Sequence, residues 1–161
     1  NIIRQWTDKE IEEQELVTQF ISHILRESNI EFTLKGPVDH RAGNLMHLKS
    51  TFQFETGDID PIELIKKLHP TPAVCGIPQL ESKDFIIANE THDRAYYSGF
   101  TGPFGLAGKT DLFVNLRCLQ LYKNQFVLYL GGGITAASDP ESEWLETIYK
   151  SRTMLNIIET L

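Results

Sequence analysis

Three consecutive glycines constrain this chain more than any other feature. The apolar run Leu128-Tyr129-Leu130 ends in Gly131-Gly132-Gly133-Ile134, and Ser138-Asp139-Pro140 then opens the segment Glu141 to Lys150. Lacking Cβ atoms, the glycines let the backbone come close to another group. Ser138 or Asp139 can cap a helix whose first turn accepts Pro140. That helix carries Glu143, Glu146 and Lys150, and the last two, four residues apart, share a face. A carboxylate and an ammonium therefore stand near a glycine-lined wall, which suits a small acidic ligand held together with a metal. An ordinary surface helix with a solvated ion pair fits the same pattern.

At 161 residues the chain is long enough for one domain with its own core, and no linker, repeat or low-complexity tract divides it. The net charge is −7, with acidic and basic residues mixed along the chain. No basic patch is interleaved with aromatics, so nucleic acid is not an expected partner. An anionic ligand would be repelled by the general field and would need local cations or a metal. No apolar run approaches a membrane span, and Asn1-Ile2-Ile3-Arg4 does not read as a signal peptide. A start on Asn1 rather than Met is expected of a fragment or a processed chain. Cys75 and Cys118 lie far apart with no CxxC pairing, which argues against a disulfide framework or a structural zinc and for a reducing cytoplasm. The five histidines show no HExxH spacing.

Near the start, Thr7 or Asp8 can cap a helix running to about Glu27, with Val17, Phe20, Ile21, Ile24 and Leu25 as its core stripe. Four residues before Val17 the stripe reaches Glu13. A carboxylate there is neutralised, hydrogen-bonded or bound to a cation, unless it looks past the end of the core. Ile30–Lys35 and Leu45–Glu55 alternate as half-buried strands, with Gly36-Pro37 and Gly43-Asn44 bracketing a loop between them. His47 on the second strand is either ligand-facing or an ordinary strand histidine. Asp60-Pro61 starts a short helix through Leu68. The run from His69 to Pro78 holds three further prolines and a glycine and must be a stiff, shaped loop, in which Cys75 reads as a small packed hydrophobe. Gln79 to about Asn89 reads as a helix, with Glu90 four before Arg94. Beyond it a meander is expected, with strands at Tyr96–Gly102, Asp111–Tyr122 and Gln125–Leu130. In the second of these Phe113, Asn115, Arg117, Leu119 and Leu121 would share a face. Arg117 is then either a bidentate clamp on a carboxylate or an edge-strand arginine reaching solvent.

Taken in order, these pieces resemble the C-terminal part of the chorismate-utilising enzymes. They are Lys9-Glu10-x-x-Glu13-Gln14-Glu15-Leu16-Val17, His47-Leu48-x-Ser50, His69-Pro70-Thr71-Pro72-Ala73-Val74-Cys75-Gly76-x-Pro78 and Glu90-x-x-x-Arg94-x-x-Tyr97-x-Gly99. Leu116-Arg117, Gly131-x-Gly133-Ile134, Ser138-Asp139-Pro140 and Glu143-Trp144-x-Glu146-Thr147-x-x-Lys150 complete the set, over nearly the whole chain. The resemblance implies an α/β fold of the α+β type, antiparallel sheets flanked by helices, of which these residues are about half. It implies that Glu13 and Glu146 hold a Mg²⁺ receiving the ring carboxylate of chorismate, a hard, oxygen-rich and incomplete shell that suits this ion. Arg117 resembles the clamp on the pyruvyl carboxylate, and Lys150 a lysine near the bound anion and the metal carboxylates. Gly131 and Gly133 match backbone lining the substrate, and His69 and Ala73 match the loop over the ring. Two neighbours depart from the family: Gln14 stands where His is usual, and Leu130-Gly131-Gly132 replaces Ala-Gly-Ala.

Within the family, Ala73 in place of a hydroxyl residue, with Glu143-Trp144 in the last helix, is similar to the isochorismate synthases. Water then adds at C2 of chorismate while the C4 hydroxyl leaves, serving menaquinone or siderophore synthesis. The expected general base, a lysine, and general acid, a glutamate, belong to an N-terminal half missing from these residues, which alone are expected to be inactive. The alternatives are a salicylate synthase or another member of the family, or a non-catalytic ligand-binding remnant of the fold.

Overall fold

The computed structural model describes residues 6–42 and 45–159. The chain divides into two compact units, Asn1–Ile86 and Ile87–Leu161. The elements are helices and short antiparallel sheets, the mixed class the sequence implies.

The first unit begins with α1 (Asp8–Glu27), entered through a capping box. The Glu10 amide donates to Thr7 Oγ1 at 3.2 Å, and the Thr7 amide donates to Glu10 Oε2 at 3.0 Å. Two amides that the helix cannot satisfy internally thus find acceptors. Thr7→Ala removes one acceptor and is expected to cost about 1 kcal/mol of stability, measurable by urea unfolding. The apolar stripe of α1 turns inward: Leu25 is fully buried and forms the core with Ile30 and Leu64, surrounded by Ile21, Ile24, Phe32, Phe52, Phe54, Ile59 and Leu68.

Against this core lies the hairpin of β1 (Phe32–Ala42) and β2 (Leu45–Phe54). The first strand does not stop at Lys35 as the Gly-Pro pair suggests. It continues through Gly36-Pro37 as a bulge, the register passing from Lys35↔Thr51 to Val38↔Lys49 so that two residues face Ser50 alone. Glycine is required there: Gly36 has φ +104°, and a Cβ would run into the Lys49 carbonyl. Proline is tolerated because the bulge asks for no ladder donor at that point. Beyond the bulge, Asp39 pairs with Leu48, and Trp6 Nε1 donates to Asp39 Oδ1 at 2.7 Å. Gly43 and Asn44, expected to bracket a loop, lie outside the described residues.

Next come α2 (Pro61–Leu68), capped by the Asp60 side chain, and α3 (Gln79–Asn89), both as the sequence indicates. The proline-rich segment between them is a shaped loop. The Val74 and Cys75 amides return to the Thr71 carbonyl, the Gly76 amide to Pro72, and Gln79 Nε2 donates to the Pro70 carbonyl at 2.8 Å.

The second unit contains two small antiparallel pairs, β3 (Phe100–Thr101) with β4 (Phe113–Val114) and β5 (Cys118–Leu121) with β6 (Phe126–Tyr129), followed by α4 (Pro140–Ile158). The neighbour order of a meander holds, but the strands are shorter than expected. The expected Asp111–Tyr122 strand is broken at Arg117, whose φ of +48° is left-handed. That residue reverses the alternation, so Phe113, Asn115, Arg117, Leu119 and Leu121 do not share one strand face. Among the described residues this unit has no buried hydrophobic side chain; Phe113, Leu121 and Trp144 are about two-thirds or more exposed. Hydrogen bonds and ring contacts, rather than a closed core, define its local geometry. No described helix is long and apolar enough to cross a membrane.

Candidate functional site

Three of the residues singled out in the sequence, Gly131, Glu146 and Lys150, meet beside the middle of α4. The helix is entered through Asp139, whose carboxylate accepts from the Ser142 amide at 2.8 Å. That bond holds the Asp139 carboxyl below its usual range. One face of α4 then carries Glu143, Glu146 and Lys150. Lys150 Nζ lies 2.5 Å from Glu146 Oε1 and donates to the Gly131 carbonyl at 3.1 Å. The glycine wall, the carboxylate and the ammonium are therefore in contact, as the spacing suggests. Their side chains are part-shielded, Lys150 being 25% exposed and Glu146 44%.

Glu143 carries no assigned role in the sequence reading, yet it is the buried carboxylate of this unit, 7% exposed. It faces Gly132, where a Cβ would come within 3.4 Å of Glu143 Oε2. With Gly132, Ile134, Pro140, Trp144 and Thr147 it lines a cavity of about 340 Å³. Its spacing from Glu146 and Lys150, three and seven residues, was a signal for this face.

Tyr97 is the second residue whose part the sequence left open. Its ring stacks on Tyr129 at 5.9 Å and lies beneath the Arg94 guanidinium at 5.7 Å. The hydroxyl is directed at Gly131, where a Cβ would sit only 2.6 Å away. Burial raises the Tyr97 pKa, so the group stays a neutral hydroxyl. Arg94 itself is held by the Glu90 carboxylate through both Nε, at 2.7 Å, and Nη2, with Nη1 donating to Ser98 Oγ. Hydrogen bonding from Arg94 keeps the Glu90 carboxyl below its ordinary range. A carboxyl with a lower pKa in the folded than in the unfolded state stabilises the fold above its unfolded pKa, and this is lost as pH falls through the folded value. Glu90→Gln is therefore expected to lower the melting temperature near neutral pH and to match the parent in acid, as followed by thermal unfolding.

Arg117 is half-buried on the left-handed turn before β5, and Gly133 is half-buried between β6 and α4. Cys118 follows Arg117; burial pushes its thiol up, which disfavours the reactive thiolate. In the first unit, His69 caps α2 with its amide on the Ile65 carbonyl at 3.0 Å, and Ala73 is exposed on the shaped loop. Glu13 lies on the inward side of α1, its Oε1 shielded from solvent and 3.5 Å from Lys9 Nζ. The neighbouring Gln14 Nε2 donates to Ser50 Oγ at 2.9 Å, tying this part of α1 to β2.

Among the described residues no group of three or more His, Cys, Asp or Glu side chains is arranged to hold a metal ion. Glu13 in the first unit and Glu146 in the second each offer part-shielded carboxylate oxygen, beside Lys9 and Lys150 respectively. This donor chemistry fits a hard divalent cation of the Mg²⁺ type, which takes one or two carboxylates and completes its shell with water and ligand oxygen.

The model of a family described as "chorismate binding enzyme" matches residues 6–159. Over 153 residues the chain is 35% identical to the isochorismate synthase EntC of Escherichia coli strain K12, covering 94% of this chain and 39% of that protein. It is 39% identical over 113 residues to the isochorismate synthase DhbC of Bacillus subtilis strain 168, covering 69% and 28% respectively. Component 1 of the anthranilate synthase of Acinetobacter calcoaceticus is 31% identical over 123 residues, covering 76% and 25%. The chain thus spans about two-fifths or less of the length of these relatives.

Proposed function

Because this chain belongs to the chorismate-binding enzymes, we propose that it is the metal- and carboxylate-holding part of an isochorismate synthase acting on chorismate with Mg²⁺. The observation that carries this reading is the Glu146–Lys150–Gly131 contact, a carboxylate, an ammonium and a backbone carbonyl on one wall of a chain whose relatives include isochorismate synthases. In this reading Glu13 and Glu146 are the metal's carboxylates, Arg117 and Lys150 hold the carboxylates of chorismate, and His69, Ala73, Gly131 and Gly133 shape the pocket. The bound ion supplies positive charge against which the ring carboxylate is held. Lys150 and Arg117 fix the orientation of the dianion: Lys150 as a point charge tethered to Gly131, Arg117 through its planar fork. With the acid carboxylates held, addition of water at C2 and departure of the C4 hydroxyl fall to a base and an acid outside these residues.

The match to an anthranilate synthase component favours a second member of the same family. Against it stands Ala73, which brings no hydroxyl to the loop. A salicylate synthase remains the other alternative. The test is incubation of the full-length protein with chorismate and Mg²⁺, followed by product chromatography. Isochorismate as the main product supports the assignment; salicylate with pyruvate, or anthranilate in the presence of ammonia, rejects it.

A further inference from the structure

The ammonium of Lys150 sits on one carboxylate oxygen of Glu146, the side chain to which the metal is assigned. It lies 2.5 Å from Glu146 Oε1, and a second of its three donors is fixed by the Gly131 carbonyl at 3.1 Å. We infer that Lys150 is a tethered placeholder cation: it neutralises Glu146 while no metal is present, and is released to an anionic ligand when Mg²⁺ takes the carboxylate. The inference rests on the functional reading above for the identity of metal and anion, and on the Glu146–Lys150–Gly131 contact for the exchange.

Glu146 Oε1 cannot serve both Lys150 and a metal, the ammonium's charge opposes a second cation on the same carboxylate, and the donor that Lys150 gives to Glu146 is not available to a ligand carboxylate. Metal and anion each break the same ion pair, so whichever arrives first relieves the second of that cost. Affinities coupled in this way rise together by equal factors. The Gly131 carbonyl keeps the displaced ammonium at the site rather than letting it swing into water. Glu13 has a corresponding neighbour in Lys9, but that pair is longer, at 3.5 Å, and runs lysine-to-glutamate along the helix, the weaker orientation. The exchange is therefore assigned to Lys150.

Calorimetry on the complete protein tests this without reference to turnover. With MgCl₂ as titrant and no substrate, Lys150→Met is expected to bind Mg²⁺ about twofold to threefold more tightly than the parent, the range for losing a part-exposed ion-pair competitor. With chorismate as titrant and no metal, Glu146→Gln is expected to bind more tightly by a similar factor, because Lys150 is no longer engaged. Arg152→Met and Glu141→Gln alter the same charges elsewhere on α4 and serve as controls. Tightening confined to Lys150→Met and Glu146→Gln supports the exchange. Unchanged or weaker binding in either, or equal tightening in the controls, overturns it. If Glu146→Gln binds Mg²⁺ as the parent does, or no form binds chorismate, the functional reading itself fails, an outcome separate from a failed exchange.

Discussion

Glu146→Gln in the complete protein is expected to abolish Mg²⁺-dependent turnover of chorismate while leaving the fold in place. The substitution keeps the size of the side chain and removes its charge. The loss should exceed the roughly 10–100-fold that even outer partners of a metal cost when changed, because Glu146 is assigned to the ion itself. The fold should survive because Glu146 is nearly half exposed and its ion pair with Lys150, four residues on, is of a kind that contributes well under about 1 kcal/mol. Steady-state rates across a Mg²⁺ titration, beside a circular dichroism spectrum, make the measurement. Parent-like rates with parent-like Mg²⁺ dependence would remove Glu146 from the site.

Gly131→Ala is the second large effect. The new Cβ would lie 2.6 Å from the Tyr97 hydroxyl, well inside contact distance. Tyr97 cannot yield cheaply, since its ring is stacked on Tyr129 and covered by Arg94. Overpacking of this kind costs about 1–3 kcal/mol, and the displaced wall carries the carbonyl that tethers Lys150. Turnover and melting temperature should fall together. Tyr97→Phe supplies the control, because once the hydroxyl is gone the nearest ring atom, Cζ, is an ordinary 3.7 Å from the added methyl. The double variant should therefore recover most of what Gly131→Ala loses. If the double variant is as impaired as Gly131→Ala alone, the clash with Tyr97 is not the cause.

Features written in short-range chemistry were legible in the sequence. The Thr7 cap, the inward stripe of α1 that includes Glu13, the Asp60 and Asp139 caps and the stiff loop from His69 to Pro78 all depend on residues within one or two turns of each other. The pairing of Glu146 with Lys150 beside the glycines was legible for the same reason. Arg117 shows where that legibility ends. It sits in a run rich in Phe, Val and Leu with no glycine or proline, and nothing in a period-two pattern marks its left-handed backbone. The turn is set by hydrogen bonds from elsewhere in the chain, with the Ser98 amide on the Asn115 carbonyl and the Asn115 amide on the Gly99 carbonyl. The inward burial of Glu143 was half visible: its helical spacing was there, but the cavity that receives it includes Gly132 and Ile134 on the preceding segment. Gly36-Pro37 misled in the other direction, since the pair that ends most strands here only interrupts the ladder.

That interruption decides which way the distal arm of the hairpin looks. Upstream, even-numbered residues of β1 stand opposite Phe54 and Phe52; downstream, odd-numbered Asp39 and Arg41 stand opposite Leu48 and Met46. The two-for-one step thus exchanges parity halfway along the strand, and Asp39 owes its meeting with Trp6 to that exchange. Were the same residues of β1 paired one for one with no bulge, the arm would roll over, presenting Val38 and His40 in place of Asp39 and Arg41 and leaving the Trp6 indole without its carboxylate.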